Sequence, residues 1–251
     1  VFLHGLIHVL GFVKGFGLKD VKELTLPISK PLGLFWLTAA ILIWSYGVLY
    51  HVNAKYTWLI GLIAVIASQI LVILFWKDAK FATIPNVILF VVSVVLFAHY
   101  RFQGKIDQET KAIIGQSTIA TESVISERDL NDLPLPVQKW LRRSGALGKP
   151  YMNIGKVTQV AEMQMKPDQT NWLKATAIQY TSIDYPAFIW MVDVTMNPLI
   201  HFNGRDKFED GRGEMLISLN ALFNIVDEQG DKINEGSMQR YLGEMVWFPS
   251  L

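Results

Sequence analysis

The sequence contains no cysteine. That removes disulfides, thiolate nucleophiles and cysteine-based zinc sites from consideration. It has no Asn-x-Ser/Thr acceptor and no Gly-x-Ser-x-Gly nucleophile turn. Charge is also scarce: 18% of residues are charged, against about a quarter in a typical soluble domain. The deficit is local. Between Pro31 and Tyr100 the only formal charges are Lys55, Lys77, Asp78 and Lys80, whereas from Arg101 onward charges are frequent. The net charge is +1. With no basic stripe and no aromatic-basic ladder, nucleic acid is excluded as a partner.

What is present divides the chain near residue 101. A helix needs roughly 20 apolar residues to cross the hydrocarbon of a bilayer. Three uncharged stretches meet that requirement, with helices expected at about 31–52, 56–76 and 81–100. One central Lys or Asp would cost about 2.5–3.5 kcal/mol, and none of the three contains one. Trp36, Tyr50, Tyr56, Trp58, Trp76 and Tyr100 stand at their ends, as an interfacial aromatic belt does. Val1–Val13 is uncharged too but too short to span. It is expected to be either the second half of a truncated transmembrane helix, reaching to about residue 17, or an interfacial segment.

Lys14, Lys19, Lys22 and Lys30 in the first loop, with Lys77 and Lys80 in the third, outweigh Lys55, Arg101 and Lys105 on the other side. By the positive-inside rule the first and third loops are cytoplasmic, and the domain after Tyr100 is extracytoplasmic. The lipid bilayer is therefore the first expected partner.

Residues 101–131 read as a polar linker, flexible or a frayed helix. A soluble, β-rich domain is expected over 132–251. It opens with a helix that has Asp132 near its cap, Pro134 in its first turn and Gly145 at its end. The basic face of that helix, Lys139, Arg142 and Arg143, is read as solvated or in contact with anionic headgroups. Strand signals follow in Val157–Lys166, Trp172–Ile183, Ala187–Met196, Leu199–Phe208 and Glu214–Leu219. Pro167-Asp168, Asp184-Tyr185-Pro186 and Glu209-Asp210-Gly211 separate them, giving an antiparallel meander. Met238, Tyr241, Leu242 and Met245 then repeat at helical spacing, capped by Asn234 or Ser237. The predicted fold class is α+β: a transmembrane helical bundle, then an antiparallel β-rich domain with flanking helices.

Two sets of residues are candidate sites. His4 and His8, one turn apart, present both imidazoles on one helix face, as metal ligation requires. No Glu intervenes, so the metalloprotease form is absent. Metal or haem ligation, a hydrogen bond between helices, and proton or quinone chemistry all fit this pair; no cofactor is specified. The second set lies on Ala187–Met196, which is apolar at almost every position, so both its faces must be covered. A helix with a second sheet layer would do this, as would a half-barrel around an apolar cavity. In the latter case Trp172, Phe188, Trp190 and Met196 would line a site for a lipid-like ligand. Asp206, Glu209, Asp210 and Glu214 lack calcium-loop spacing. Asp184, Asp193, Asp206 and His201 form no triad recognisable from sequence.

Four phrases carry a resemblance: His4-Gly5-Leu6-Ile7-His8-Val9-Leu10-Gly11-Phe12, Pro31–Leu37, Leu133–Leu141, and Arg240–Pro249 with its Trp247-Phe248-Pro249. The chain resembles a family of uncharacterised bacterial multi-pass membrane proteins whose soluble part is a domain of unknown function. The resemblance implies an inner-membrane location and residues beyond both ends, but no activity. Three functions are expected in order: display of a ligand-binding β domain, a membrane metal or redox protein using His4 and His8, and a non-catalytic assembly or signalling subunit docking another membrane protein.

Overall fold

The computed structural model describes residues 1–116, 123–164, 166, 170–197 and 199–250. The chain forms two compact units, Val1–Arg101 and Phe102–Leu251. Its class is α+β, as predicted.

The first unit holds α1 (Phe2–Gly15), α2 (Lys30–His51), α3 (Thr57–Leu74), the single turn α4 (Trp76–Ala79) and the first part of α5 (Thr83–Gln116). Three helical spans, Lys30–His51, Thr57–Leu74 and Trp76–Gln116, are long and apolar enough to cross a membrane. Small residues let the helices approach. Gly11 of α1 lies under the Trp36 ring, so close that a Cβ there would overlap the indole. Gly61 of α3 gives room in the same way to Tyr46 of α2 and Ser93 of α5. The outward faces are apolar: Ile41, Ile63, Ile66, Ile70, Ile73, Val87 and Ile88 are all exposed. Trp58 packs on Phe97 and Tyr100 at 4.7 and 5.7 Å, and Tyr56 on Tyr100 at 5.8 Å, gathering aromatics at one end.

The second unit begins inside α5. The stretch 101–131, read from sequence as a polar linker, is helical to Gln116 and again in α6 (Glu127–Leu130); residues 117–122 lie outside the described residues. The reason is an apolar stripe: Phe102, Ile106 and Ile113 recur on one face and pack on Ala187 and Ile189. Next, α7 spans Leu135–Ser144, with Pro134 rather than Asp132 at its N-cap and left-handed Gly145 (φ 73°) at its C-cap. Ile125, Leu130, Leu141 and Ala146 form the small core joining α6 and α7.

Six strands follow in a single antiparallel meander of order β1-β2-β3-β4-β5-β6. They are β1 (Ile154–Met163), β2 (Leu173–Ser182), β3 (Ala187–Asn197), β4 (Ile200–Glu209), β5 (Arg212–Leu219) and β6 (Phe223–Gln229). The Pro167-Asp168 turn lies outside the described residues. Asp210 and Gly211, at φ 51° and 73°, make the tight turn between β4 and β5 that right-twisted hairpins favour. α8 (Asp231–Glu244) follows the sheet, starting earlier than either Asn234 or Ser237. Asn234 instead accepts from the Gly213 amide at 2.8 Å.

Both faces of β3 are covered over its first half, by a helix on each side rather than by a second sheet. Ala187, Ile189 and Met191 face the second half of α5. Phe188 and Trp190 face α8, with Phe208, Tyr241 and Met245. Tyr185 donates to the Ile113 carbonyl at 3.1 Å. Burial, then the charges of Glu209, Asp184 and Asp210, push its hydroxyl up to about 12. At the end of the sheet, the Phe248 ring seats on Gly155 of β1, where any Cβ would overlap it. Gly155→Val is therefore expected to expel Phe248 and to cost about 1–3 kcal/mol. Chemical denaturation of the full chain in detergent should show it, with faster amide exchange along β1.

Candidate functional site in the helical unit

Four helices bring polar side chains together in an otherwise apolar interior. His4 and His8, both buried, face Ser68 of α3 and Asn86 of α5. Their rings meet edge-on, 4.8 Å between centroids. The His8 Nδ1–H donates to the His4 carbonyl at 3.0 Å, and His8 Nε2 lies 2.9 Å from Ser68 Oγ. His4 Nε2 donates to Asn86 Oδ1 at 2.9 Å, and Ser68 Oγ donates to the same oxygen at 2.9 Å. The row continues: Asn86 Nδ2 donates to Gln69 Oε1 at 2.8 Å, and Gln69 Nε2 to Thr83 Oγ1 at 3.3 Å. Trp36 of α2 packs on His8 at 5.2 Å and on Phe75 at 5.5 Å. Its Nε1–H is buried and has no acceptor among the described residues.

A cavity of about 290 Å³ opens onto this row. His4, His8 and Trp36 line it together with Leu24, Val72 and Phe81. Ile7, Leu10 and Phe81, also in its wall, are exposed on the outer surface of the helices. Glu23 and Asp78 stand at the polar rim. Asp78 is fixed there by the Thr25 amide at 2.6 Å, the Thr25 hydroxyl at 2.8 Å and the Leu26 amide at 3.3 Å.

The geometry bears on metal ligation by the pair. Three of the four imidazole nitrogens already hold hydrogen bonds, to Asn86, the His4 carbonyl and Ser68. Among the described residues, no group of three or more His, Cys, Asp or Glu converges on a common point. In this arrangement the pair is held by hydrogen bonds to Asn86, Ser68 and the His4 carbonyl. Ser68, Gln69, Asn86 and Thr83 were missed in the sequence; the available signal was polar side chains inside apolar spans, which are functional candidates by default.

The other proposed site residues do not converge. Phe188 is fully buried under α8 against Phe208 and Tyr241. Trp190 is half-buried, and its Nε1–H donates to Gln159 at 2.9 Å. Trp172 and Met196 are exposed. Phe188 and Met196 are eight residues apart on β3, about 26 Å along a strand. Two clefts on this unit, of about 790 and 350 Å³, are lined mainly by polar and charged groups such as Ser126, Asp129, Lys207 and Glu214.

Several charged groups of the sheet are paired. Arg240 of α8 donates to Asp206 at 2.5 Å, Glu244 at 2.8 Å and Gln179 at 2.8 Å. Burial pushes the Asp206 carboxyl above the usual carboxylate range, although Arg240 pulls it back. On the opposite face Arg205 reaches Glu214 at 2.8 Å and Glu109 at 3.2 Å. His201 pairs with Asp193 at 3.0 Å, while Asp184 accepts from Ser182 at 2.7 Å and Asp206 is held by Arg240, so no triad forms among them.

Among known proteins, the model of a family of unknown function (DUF6544) matches residues 123–251. No curated protein and no solved structure matches the chain.

Proposed function

We propose, for a chain that belongs to this family of unknown function, that it is an integral membrane protein whose helices hold a small amphiphilic molecule. The ligand's polar end meets the His4–Ser68–His8–Asn86 row, and its apolar end extends past Leu10 and Phe81 into the bilayer. The carrying observation is the cavity of about 290 Å³, lined by two imidazoles and by Trp36, whose indole N–H has no acceptor among the described residues, together with apolar walls. Its volume is near the lower end for small-molecule sites, which also combine apolar walls with a few placed polar groups. The exposed apolar side chains of α2, α3 and α5 support the bilayer as surroundings. The excess of Lys in the loops 14–30 and 77–80 supports a cytoplasmic site and an extracytoplasmic sheet domain.

A diazirine-bearing fatty acid, photolysed with the full-length chain in lipid nanodiscs, tests this. Adducts are expected on residues 7–10 and 81–85, and Leu10→Trp, which fills the wall from an exposed position, is expected to abolish them. Labelling spread evenly over all lipid-facing residues, and indifferent to Leu10→Trp, would overturn the reading.

A further inference from the structure

We propose that His8 is a proton-binding site, and that taking up a proton reverses the direction of the whole hydrogen-bond row His8–Ser68–Asn86–Gln69–Thr83. The proton site rests on the same placement of the helices in a bilayer and is independent of the amphiphile.

The His4 carbonyl can only accept, so His8 Nδ1 at 3.0 Å must carry a hydrogen. The Asn86 Nδ2–H donates to Gln69 Oε1 at 2.8 Å, which leaves Asn86 Oδ1 as the acceptor of both His4 Nε2–H and Ser68 Oγ–H at 2.9 Å. A serine hydroxyl has one hydrogen. With that hydrogen on Asn86, the contact of 2.9 Å between Ser68 Oγ and His8 Nε2 needs a hydrogen on Nε2. His8 then carries both, and is an imidazolium. Every bond in the row points away from it: His8 to Ser68, Ser68 to Asn86, Asn86 to Gln69, Gln69 to Thr83.

A second arrangement satisfies the same atoms with His8 neutral. Turning the Asn86 and Gln69 amides by half a turn, which is sterically neutral because oxygen and NH2 are nearly the same size, makes every bond point toward His8. Thr83 donates to Gln69, Gln69 to Asn86, Asn86 to Ser68, and Ser68 to His8 Nε2. Asn86 Nδ2 then also faces His4 Nε2, which must accept. The step is one proton from aqueous hydronium to His8 Nε2, releasing water. His4 changes tautomer without changing charge, its ring hydrogen moving from Nδ1 to Nε2 by exchange with water in the cavity.

The surroundings are set up for that charge. Facing His8 are its neighbour His4 on α1, Trp36 on α2 and Ser68 on α3, with Asn86 of α5 reached through Ser68 and His4, and the carboxylates of Glu23 and Asp78 lining the same cavity. Lys14, further along α1, donates to the Leu24 carbonyl. The rim carboxylates provide both an aqueous entry and opposite charge, and the cavity provides the path.

Nitrogen-15 NMR of histidine-labelled full-length chain in nanodiscs, titrated from about pH 4 to 9, reads both rings. His8 is expected to pass from a neutral Nδ1–H ring to an imidazolium. At the same midpoint His4 Nε2 is expected to change from acceptor to donor with no charge gained. Ser68→Ala removes the acceptor of the new N–H and should weaken proton affinity about tenfold, the worth of one hydrogen bond to a charged group. Ser68→Thr, which keeps the hydroxyl, should restore it. A His8 that stays neutral throughout, a His4 tautomer indifferent to His8, or an unmoved midpoint in Ser68→Ala would each overturn the proposal. Loss of photolabelling with an intact titration would remove only the amphiphile; the reverse would remove only the proton site.

Discussion

Arg240→Met is expected to destabilise the sheet domain by about 3–5 kcal/mol, the cost of stranding a buried charge. That is a large part of the roughly 5–15 kcal/mol that holds a domain folded. The guanidinium lies over Phe188 and Trp190, 4.8 and 5.1 Å from their ring centres, while its nitrogens serve Asp206, Glu244 and Gln179. Methionine can replace the stacking but none of the donors. Asp206 suffers most, because its side chain is only 10% exposed and its carboxyl is already raised by burial. Without Arg240 that carboxyl rises further above its unfolded value, so the folded variant binds a proton that the unfolded one does not. The deficit relative to the parent chain is therefore largest at neutral pH and shrinks as pH falls through the raised folded value. Arg240→Lys should recover little, since an ammonium cannot reach three acceptors in one planar fork. Denaturant titration of the full chain in detergent at pH 7 and at pH 5 measures both effects.

Gly11→Leu is expected to have the next largest effect, separating α1 from α2. The Trp36 ring occupies the space where a side chain would begin. It cannot retreat easily, being 2% exposed and packed on His8 and Phe75. Overpacking of this kind costs about 3 kcal/mol when neither side can yield. Because His8 is three residues from Gly11 on the same helix, its contact with Ser68 should be lost with the packing. Shrinking the ring in the double variant Gly11→Leu/Trp36→Leu should recover much of the loss, a non-additivity that neighbouring residues show and distant ones do not. Thermal unfolding in nanodiscs, with His8 nitrogen shifts as a local probe, distinguishes repacking from general damage.

The long apolar helices were legible in the sequence because an uncharged apolar run of about 20 residues reads as a helix long enough to cross a bilayer. The structure places α2 and α3 at Lys30–His51 and Thr57–Leu74, within two residues of expectation. The continuation of α5 to Gln116 was not, because frequent Glu, Lys and Gln masked an apolar stripe of only three residues, Phe102, Ile106 and Ile113. Strand β6 was missed for a similar reason: it is an exposed edge, and Phe223 and Ile225 stand among polar residues without a buried face to impose alternation. Apolarity of Ala187–Met196 pointed to cover on both faces of β3, which holds for Ala187–Met191 but not for exposed Met196, and it could not say what the cover is. The answer depends on α5 and α8, which arrive from opposite ends of the domain sequence.

The candidate site was half legible. His4 and His8 stood out as one-face imidazoles in an apolar segment. Their partners did not, because Ser68 and Asn86 are 60 and 82 residues away from the histidines they meet. Only tertiary packing of α1, α3 and α5 turns four ordinary polar residues into a connected row. The same holds for Arg240 and Asp206, 34 residues apart, whose pairing depends on how α8 crosses the sheet.

Acyl-chain contact tests the common foundation of both proposals. The full chain, labelled on isoleucine methyls, is placed in nanodiscs containing nitroxide-bearing acyl chains, and separately exposed to a water-soluble gadolinium chelate. The outward methyls of Ile41, Ile63, Ile66, Ile70, Ile73 and Ile88 are expected to broaden with the nitroxide lipid and to ignore the chelate. Broadening by the chelate, with the lipid probe silent, would place those side chains in water and contradict a membrane site altogether.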